Sequence, residues 1–271
     1  QLPDHDSVPI GSSNRRDLID YSNEDSIIQH GYDQGIAQVD EELGGDDEPP
    51  PLSDELRENE LTVQLLGTYD EYTVRCMYSS KWNHRVDAIR HVKSTDDFKP
   101  KMQLTVVDCL ITDKVAQVFM ESLELFEQVA LEVFRRGVEK THESVISSLL
   151  TYLIHNRLND SNARIRQRAS DFLLSMCQNG DVERYLTTVL LMKDRIKKGS
   201  VRKAGDKGEL NYLQLLCQIA REFGFVGKSQ KNGFTIENTM LIALSALNNR
   251  SLDIRKTAAE LIALVKVSLK S

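Results

Sequence analysis

Beyond Pro100 the chain contains no proline, since all six lie at or before that position. Proline breaks helix interiors by removing an N–H and crowding the preceding turn, so nothing of that kind interrupts residues 101–271. Cysteine is scarce too, and the four present, Cys76, Cys109, Cys177 and Cys217, are widely separated. None forms a CxxC pair or stands at metal spacing from a histidine, which excludes a disulfide framework and a zinc ribbon. Each lies in an apolar helical stretch, so buried, reduced thiols in the cytosol or another reducing compartment are expected. No apolar run reaches the roughly 18–20 residues that a membrane span needs. The N-terminus shows no charged region followed by an apolar one, so no signal peptide is expected either.

Catalytic signatures are equally thin. The phosphate-loop pattern would need a glycine at 222 before "GKS" (227–229), but Glu222 stands there and no strand precedes it. His84 and His91 are seven residues apart with no evident third metal ligand. No serine lies in a nucleophile elbow. The sequon "NRS" (249–251) is read as a chance match, given the missing export signal. A non-enzyme is expected, with no cofactor, metal or small-molecule substrate.

What the chain does have is a divided charge. The net charge of −7 hides an acidic segment and a basic body. Residues 1–60 carry 17 acidic residues against three arginines, and the remainder 31 basic against 24 acidic. Residues 1–60 also lack Phe, Trp and Met and include "DEELGGDDEPPP". Such a segment buries too little apolar surface to offset its ordering entropy. It reads as an acidic, largely disordered linker, with the folded domain at 61–271. A basic body suits an acidic partner.

In the body, apolar residues recur every three or four positions, as in "VISSLLTYLI", "ASDFLLSMC" and "MLIALSAL", and no strand-like alternation competes. The fold class is therefore all-α. The helices also repeat. In "HRVDA", "VFMES", "IRQRA" and "IRKTA" a fixed position (Arg85, Phe119, Arg166, Arg255) is followed three places on by a small residue (Ala88, Ser122, Ala169, Ala258). A polar residue (Ser79, Asp113, Asp160, Asn249) precedes each in the turn. The fixed positions are 34, 47 and 89 residues apart. The last gap is two periods of about 45, within the roughly 40–47 of HEAT repeats. The expected architecture is an α-solenoid of five helix pairs at roughly 61–93, 99–136, 141–178, 181–224 and 235–270. The small residue should let two helices approach closely. A polar residue such as Asp160 or Asn249 should cap the second helix by accepting its orphan N–H groups.

The turns inside the pairs, at 79–83, 112–114, 158–164, 197–208 and 248–252, should then line one edge. That edge gathers Lys81 and Trp82, Lys114, Arg164, the stretch Lys197, Lys198, Arg202, Lys203 and Lys207, and Arg250. A basic turn alone is usually a solvated surface. Five in register, with the only tryptophan at one end, suggest an interface. Trp82 has two readings at this point: an exposed anchor on the edge, or a plug folded into the end of the solenoid.

The stretches "YSSKWNHRVDAI", "NDSNARIRQRASDFLLSM" and "NGFTIENTMLIALSALNNRSLDIRKTAAELI", in the first, third and fifth pairs, resemble the TOG domains, a HEAT-repeat family that binds free αβ-tubulin through its intra-repeat turns. The resemblance implies that Trp82 is the first-turn anchor on β-tubulin. Lys114, Arg164, the Lys197–Lys207 stretch and Arg250 would occupy the second to fifth turns and reach toward α-tubulin. It also implies a role in microtubule, ciliary axoneme or centriole assembly, in the cytoplasm, at the cilium tip, or at the centriole or basal body. Soluble αβ-tubulin is the expected partner, rather than a membrane or nucleic acid. The alternative is a HEAT-type scaffold for another acidic protein or nucleic acid. The family commonly has six repeats, whereas five are legible here.

Overall fold

The computed structural model describes residues 48–137, 140–177, 206–225 and 234–269. All regular structure among them is helical: α1 (Asp54–Glu58), α2 (Glu60–Leu66), α3 (Glu71–Met77), α4 (Trp82–Ser94), α5 (Pro100–Leu110), α6 (Ala116–Arg136), α7 (Lys140–Tyr152), α8 (Ala163–Cys177), α9 (Asp206–Glu222), α10 (Ile236–Ala246) and α11 (Leu252–Ser268). A short π-helical segment, Leu153–Arg157, extends α7.

Side-chain caps explain the short N-terminal helices. Ser53 accepts from the Leu56 N–H, Asn59 from those of Leu61 and Thr62, and Asp70 from that of Thr73. Each cap satisfies donors that a helix start leaves open. Pro100 begins α5, where its missing N–H costs nothing. The 21-residue helix α6 buries Val118, Phe119, Ser122, Leu123, Phe126, Val129, Ala130 and Val133, a continuous stripe at helical spacing. It ends at Gly137, whose φ of 96° suits a residue without a Cβ.

The helices pack as consecutive pairs. α2 and α3 form the first arm of pair one and α4 the second; α5–α6, α7–α8 and α10–α11 follow the same plan, and α9 is the second arm of pair four. Its first arm, expected from 181 onward, lies outside the described residues. Second arms stack on second arms: α4 on α6, α6 on α8, α8 on α9, and α9 on α11. The Phe126 and Phe172 rings stack at 5.2 Å across one of these joints. Ala88, Ala169 and Ala258 are at most 1% exposed and Ser122 is fully buried, as their repeated position predicts. All four cysteines are buried and free.

The described helices begin at Asp54, ahead of the boundary at 61 that composition suggests. Leu52 is buried. Arg75 grips the segment before it, donating to Glu48 Oε1 (2.9 Å), to the Pro50 carbonyl (3.1 Å) and to the Pro49 carbonyl. Prolines lack N–H donors, but their carbonyls remain open to a guanidinium. The proline run thus lies as a strap on α3.

Candidate protein-binding edge

Each described turn between paired helices is built the same way. The polar residue six places before the fixed position folds its side chain onto the backbone N–H two residues later. Ser79 Oγ accepts from Lys81 N at 3.2 Å, Asp113 Oδ1 from Val115 N at 2.8 Å, Asp160 Oδ1 from Asn162 N at 2.9 Å, and Asn249 Oδ1 from Ser251 N at 2.9 Å. These are side-chain-closed turns. They correct the expectation that Asp160 and Asn249 cap the following helices. The residues at the helix entrances, Lys81, Val115 and Ser251, make no side-chain cap bond. The geometric reason is that these polar side chains sit too far ahead of the helix to reach its first amides.

The fixed position then locks the turn from beneath. Arg85 Nη1 donates to the carbonyls of Ser79 and Ser80, both at 2.8 Å. Arg166 Nη1 donates to those of Asp160 and Ser161, at 2.6 and 2.9 Å. Arg255 Nη1 donates to those of Asn249 and Arg250, at 2.9 and 2.8 Å. Each guanidinium pins two successive carbonyls that would otherwise need water. A charged donor on a half-buried carbonyl makes a stronger bond than a neutral one.

Successive turns are also tied to one another. Arg85 forks onto Asp113 of the second turn, Nε to Oδ2 at 2.6 Å, with both side chains about nine-tenths buried. Arg157 joins the second turn to the third, donating to the Ile111 and Asp113 carbonyls and to Asp160 Oδ2. Asn211 of α9 donates to the Leu158 carbonyl at 2.7 Å. A Cβ added to Gly208 would meet Asn159 Cγ at 2.9 Å, so the start of α9 lies directly on the third turn. The stacked second arms run parallel. Arg85, Arg90 and Lys93 meet Asp113, Glu121 and Glu124 in order along α4 and α6. Cys217 and Arg221 likewise meet Thr257 and Glu260 in order along α9 and α11. Parallel second arms bring their entrances, and so the turns, to one edge.

On that edge Trp82 is 42% exposed. It is the first residue of α4 rather than a turn residue, which fixes its backbone more firmly than a loop would. The exposure favours the anchor reading over the plug. Beside it, Lys81 is exposed, as are Lys114, Arg164, Lys207 and Arg250. Lys114, Arg164 and Arg250 make no ion pair among the described residues. By contrast, Arg90, Lys93, Arg135, Arg136, Arg168 and Arg221, on the helices, are each paired with a carboxylate. Lys197, Lys198, Arg202 and Lys203 lie outside the described residues. The two histidines serve the scaffold: His84 Nδ1 is hydrogen bonded to Ser79 Oγ at 2.8 Å and His91 Nδ1 to Thr73 Oγ1 at 3.0 Å.

Sequence reasoning used Arg85, Arg166 and Arg255 only to align the repeats and missed their role. The signal was present in pairs one, three and five, where an arginine stands six residues after the polar turn residue; Phe119 takes its place in pair two. Arg157 had no such signal.

A family model described as the TOG domain of centrosomal protein CEP104 matches residues 56–261. Centrosomal protein of 104 kDa from Mus musculus and its counterpart from Homo sapiens are each 28% identical to this chain over 235 residues, covering 79% of this chain and 24% of theirs. The chain thus spans about a quarter of the length of these relatives. A solved structure of the TOG domain of human Cep104 superposes with a TM-score of 0.62 at 25% identity, covering 78% of this chain and 83% of that one. A second CEP104 TOG domain gives 0.61 at 22% identity, covering 81% and 91%, and supports the fold. With the family model spanning nearly the whole helical body, the chain belongs to the CEP104 TOG domain family.

Proposed function

We propose that the chain binds soluble, curved αβ-tubulin through its turn edge, and that this binding supports microtubule, centriole or ciliary axoneme assembly. The observation that carries the reading is the row of locked turns, exposing Trp82 at one end and, beyond it, the cations Lys114, Arg164 and Arg250, which make no ion pair among the described residues. An exposed tryptophan on a fixed helix start offers a large apolar surface that loses little entropy on binding. The cations suit an acidic partner and steer its approach. Trp82 packs on one tubulin subunit, and the cations of the later turns extend toward the other. The reading is non-catalytic. The centrosomal relatives support a location at the centrosome or centriole, with the cilium tip as a further proposed site.

Gel filtration of the 271-residue chain with soluble tubulin tests this, with duplex nucleic acid as the control. Co-elution with tubulin that Trp82→Ala abolishes is the expected result. Co-elution with nucleic acid instead, lost steeply as salt rises, would replace it with an electrostatic nucleic-acid reading.

A further inference from the structure

The second turn lacks, from its own helix pair, the guanidinium that locks the first, third and fifth turns. The position that carries Arg85, Arg166 and Arg255 in the first, third and fifth pairs is Phe119 here, a fully buried side chain. One of the two carbonyls it leaves uncovered, that of Asp113, is nonetheless satisfied by an arginine from the next pair, which also reaches the Ile111 carbonyl. Arg157 Nη2 donates to the Asp113 carbonyl at 2.7 Å and to the Ile111 carbonyl at 2.9 Å. The Asp113 carbonyl is the equivalent of those of Ser79, Asp160 and Asn249. Nη1 of the same residue donates to Asp160 Oδ2 at 3.0 Å, in the third turn.

The Arg157 guanidinium lies 4.6 Å from the centre of the Phe119 ring and 5.5 Å from that of Tyr152. Phe119 therefore exchanges a donor for a π face that holds a donor from elsewhere. Arg157 reaches the site from the end of the π-helical segment, where the Leu158 N–H returns to the Leu153 carbonyl at 3.0 Å. A π turn inserts a residue into the helical register and re-aims the side chains at its end.

We propose that Arg157 is a positioning residue for partner binding: by locking the second turn from the neighbouring repeat, it sets Lys114 on the edge and fixes the second and third turns relative to each other. The proposal rests on the tubulin reading of the edge. Lys114 directly follows Asp113, whose carbonyl, carboxylate and neighbouring amide are all engaged. Without Arg157 two carbonyls lose their shared donor, and the segment 111–115 samples other conformations. The cation at its tip then has to be ordered again each time the partner binds.

The test uses the full chain and five variants: Arg157→Lys, Arg157→Ala, Lys114→Ala, the double variant Arg157→Lys/Lys114→Ala, and Trp82→Ala. Arg157→Lys keeps the charge but loses the fork, so it holds the fold if Arg157→Ala does not. Three quantities are read: amide hydrogen exchange of residues 112–115, thermal midpoint, and affinity for soluble tubulin. Faster exchange confined to the second turn is expected for Arg157→Lys. Its tubulin affinity should fall roughly fivefold, the scale of one lost hydrogen bond, and this loss should vanish in the Lys114→Ala background. Unchanged exchange, or an equal affinity loss with and without Lys114, overturns the positioning role. Normal affinity in Arg157→Lys while Trp82→Ala loses binding also overturns it, and leaves the tubulin reading standing. Should Trp82→Ala and Lys114→Ala both bind normally, the edge reading fails and the positioning role falls with it.

Discussion

Trp82 stands in polar sequence company because it opens a helix at an edge, with Lys81 before it and the buried His84 and Arg85 after it. The side chain is only partly held by its own fold, so its remaining surface is available to a partner. Trp82→Ala is expected to cost roughly 2–4 kcal/mol of tubulin binding, the range of interface hot spots. Arg250→Ala should cost less, since an exposed rim charge mainly accelerates association. Neither should shift the thermal midpoint much, because neither side chain is in the packing stripe. Titration calorimetry with tubulin, paired with melting curves, checks both. A large drop in the melting midpoint for Trp82→Ala would show that the ring supports the fold instead.

At the scale of elements, the joint between two second arms is set by what fits between them. Ala169 is fully buried on α8. Ala169→Leu should overpack that joint and destabilise the chain by roughly 1–3 kcal/mol, measured by urea unfolding; an unchanged midpoint would mean that the joint has slack. The α4–α6 joint is polar at its rim. There Arg90 and Lys93 meet Glu121 at 3.1 and 3.4 Å, and Lys93 also meets Glu124 at 2.8 Å. Burial pushes the Glu121 carboxyl up, but hydrogen bonds from Arg90 and Lys93 and their charges outweigh it, leaving it below the ordinary value of 4.5. A carboxylate with a depressed folded-state pKa contributes stability that is fully present above its unfolded value and is lost as pH falls through the folded one. Glu121→Gln should therefore lower the melting midpoint at neutral pH and flatten its decline below about pH 4.5. Parallel melting curves for both proteins from pH 7 to pH 3 would contradict this.

For the whole molecule, the edge joins one exposed tryptophan to cations spread over several turns, and the two respond differently to salt. Exposed charges are screened beyond a Debye length of about 8 Å at physiological ionic strength and about 3 Å at 1 M. Raising salt should slow association with tubulin while changing dissociation less, because the tryptophan contact is not screened. Stopped-flow mixing at increasing salt measures this, and an association rate independent of salt would remove the cations from the interface.

The all-helical class and the positions of the described turns are legible in the residues alone. Apolar spacing and the missing prolines dictate helices locally, without reference to distant residues. The repeat of polar residue, turn and small residue located the described turns within a few positions and marked Ala88, Ala169 and Ala258 as buried. Trp82, Lys114, Arg164 and Arg250 fall in or beside those turns. Tertiary structure decided what the period cannot encode. Whether Trp82 faces solvent or core depends on how α4 packs, and either outcome fits "SSKWNHRVDAI". The turn arginines were visible as letters, but their bonds to carbonyls appear only once the turn is closed. The strap at residues 48–52 looked like linker by composition, and it is held because Arg75 on α3 happens to face its carbonyls. Arg157 is the clearest case. It lies 44 residues from Asp113 along the chain, and a bond of that separation exists only because stacking brings one repeat's helix end under another repeat's turn.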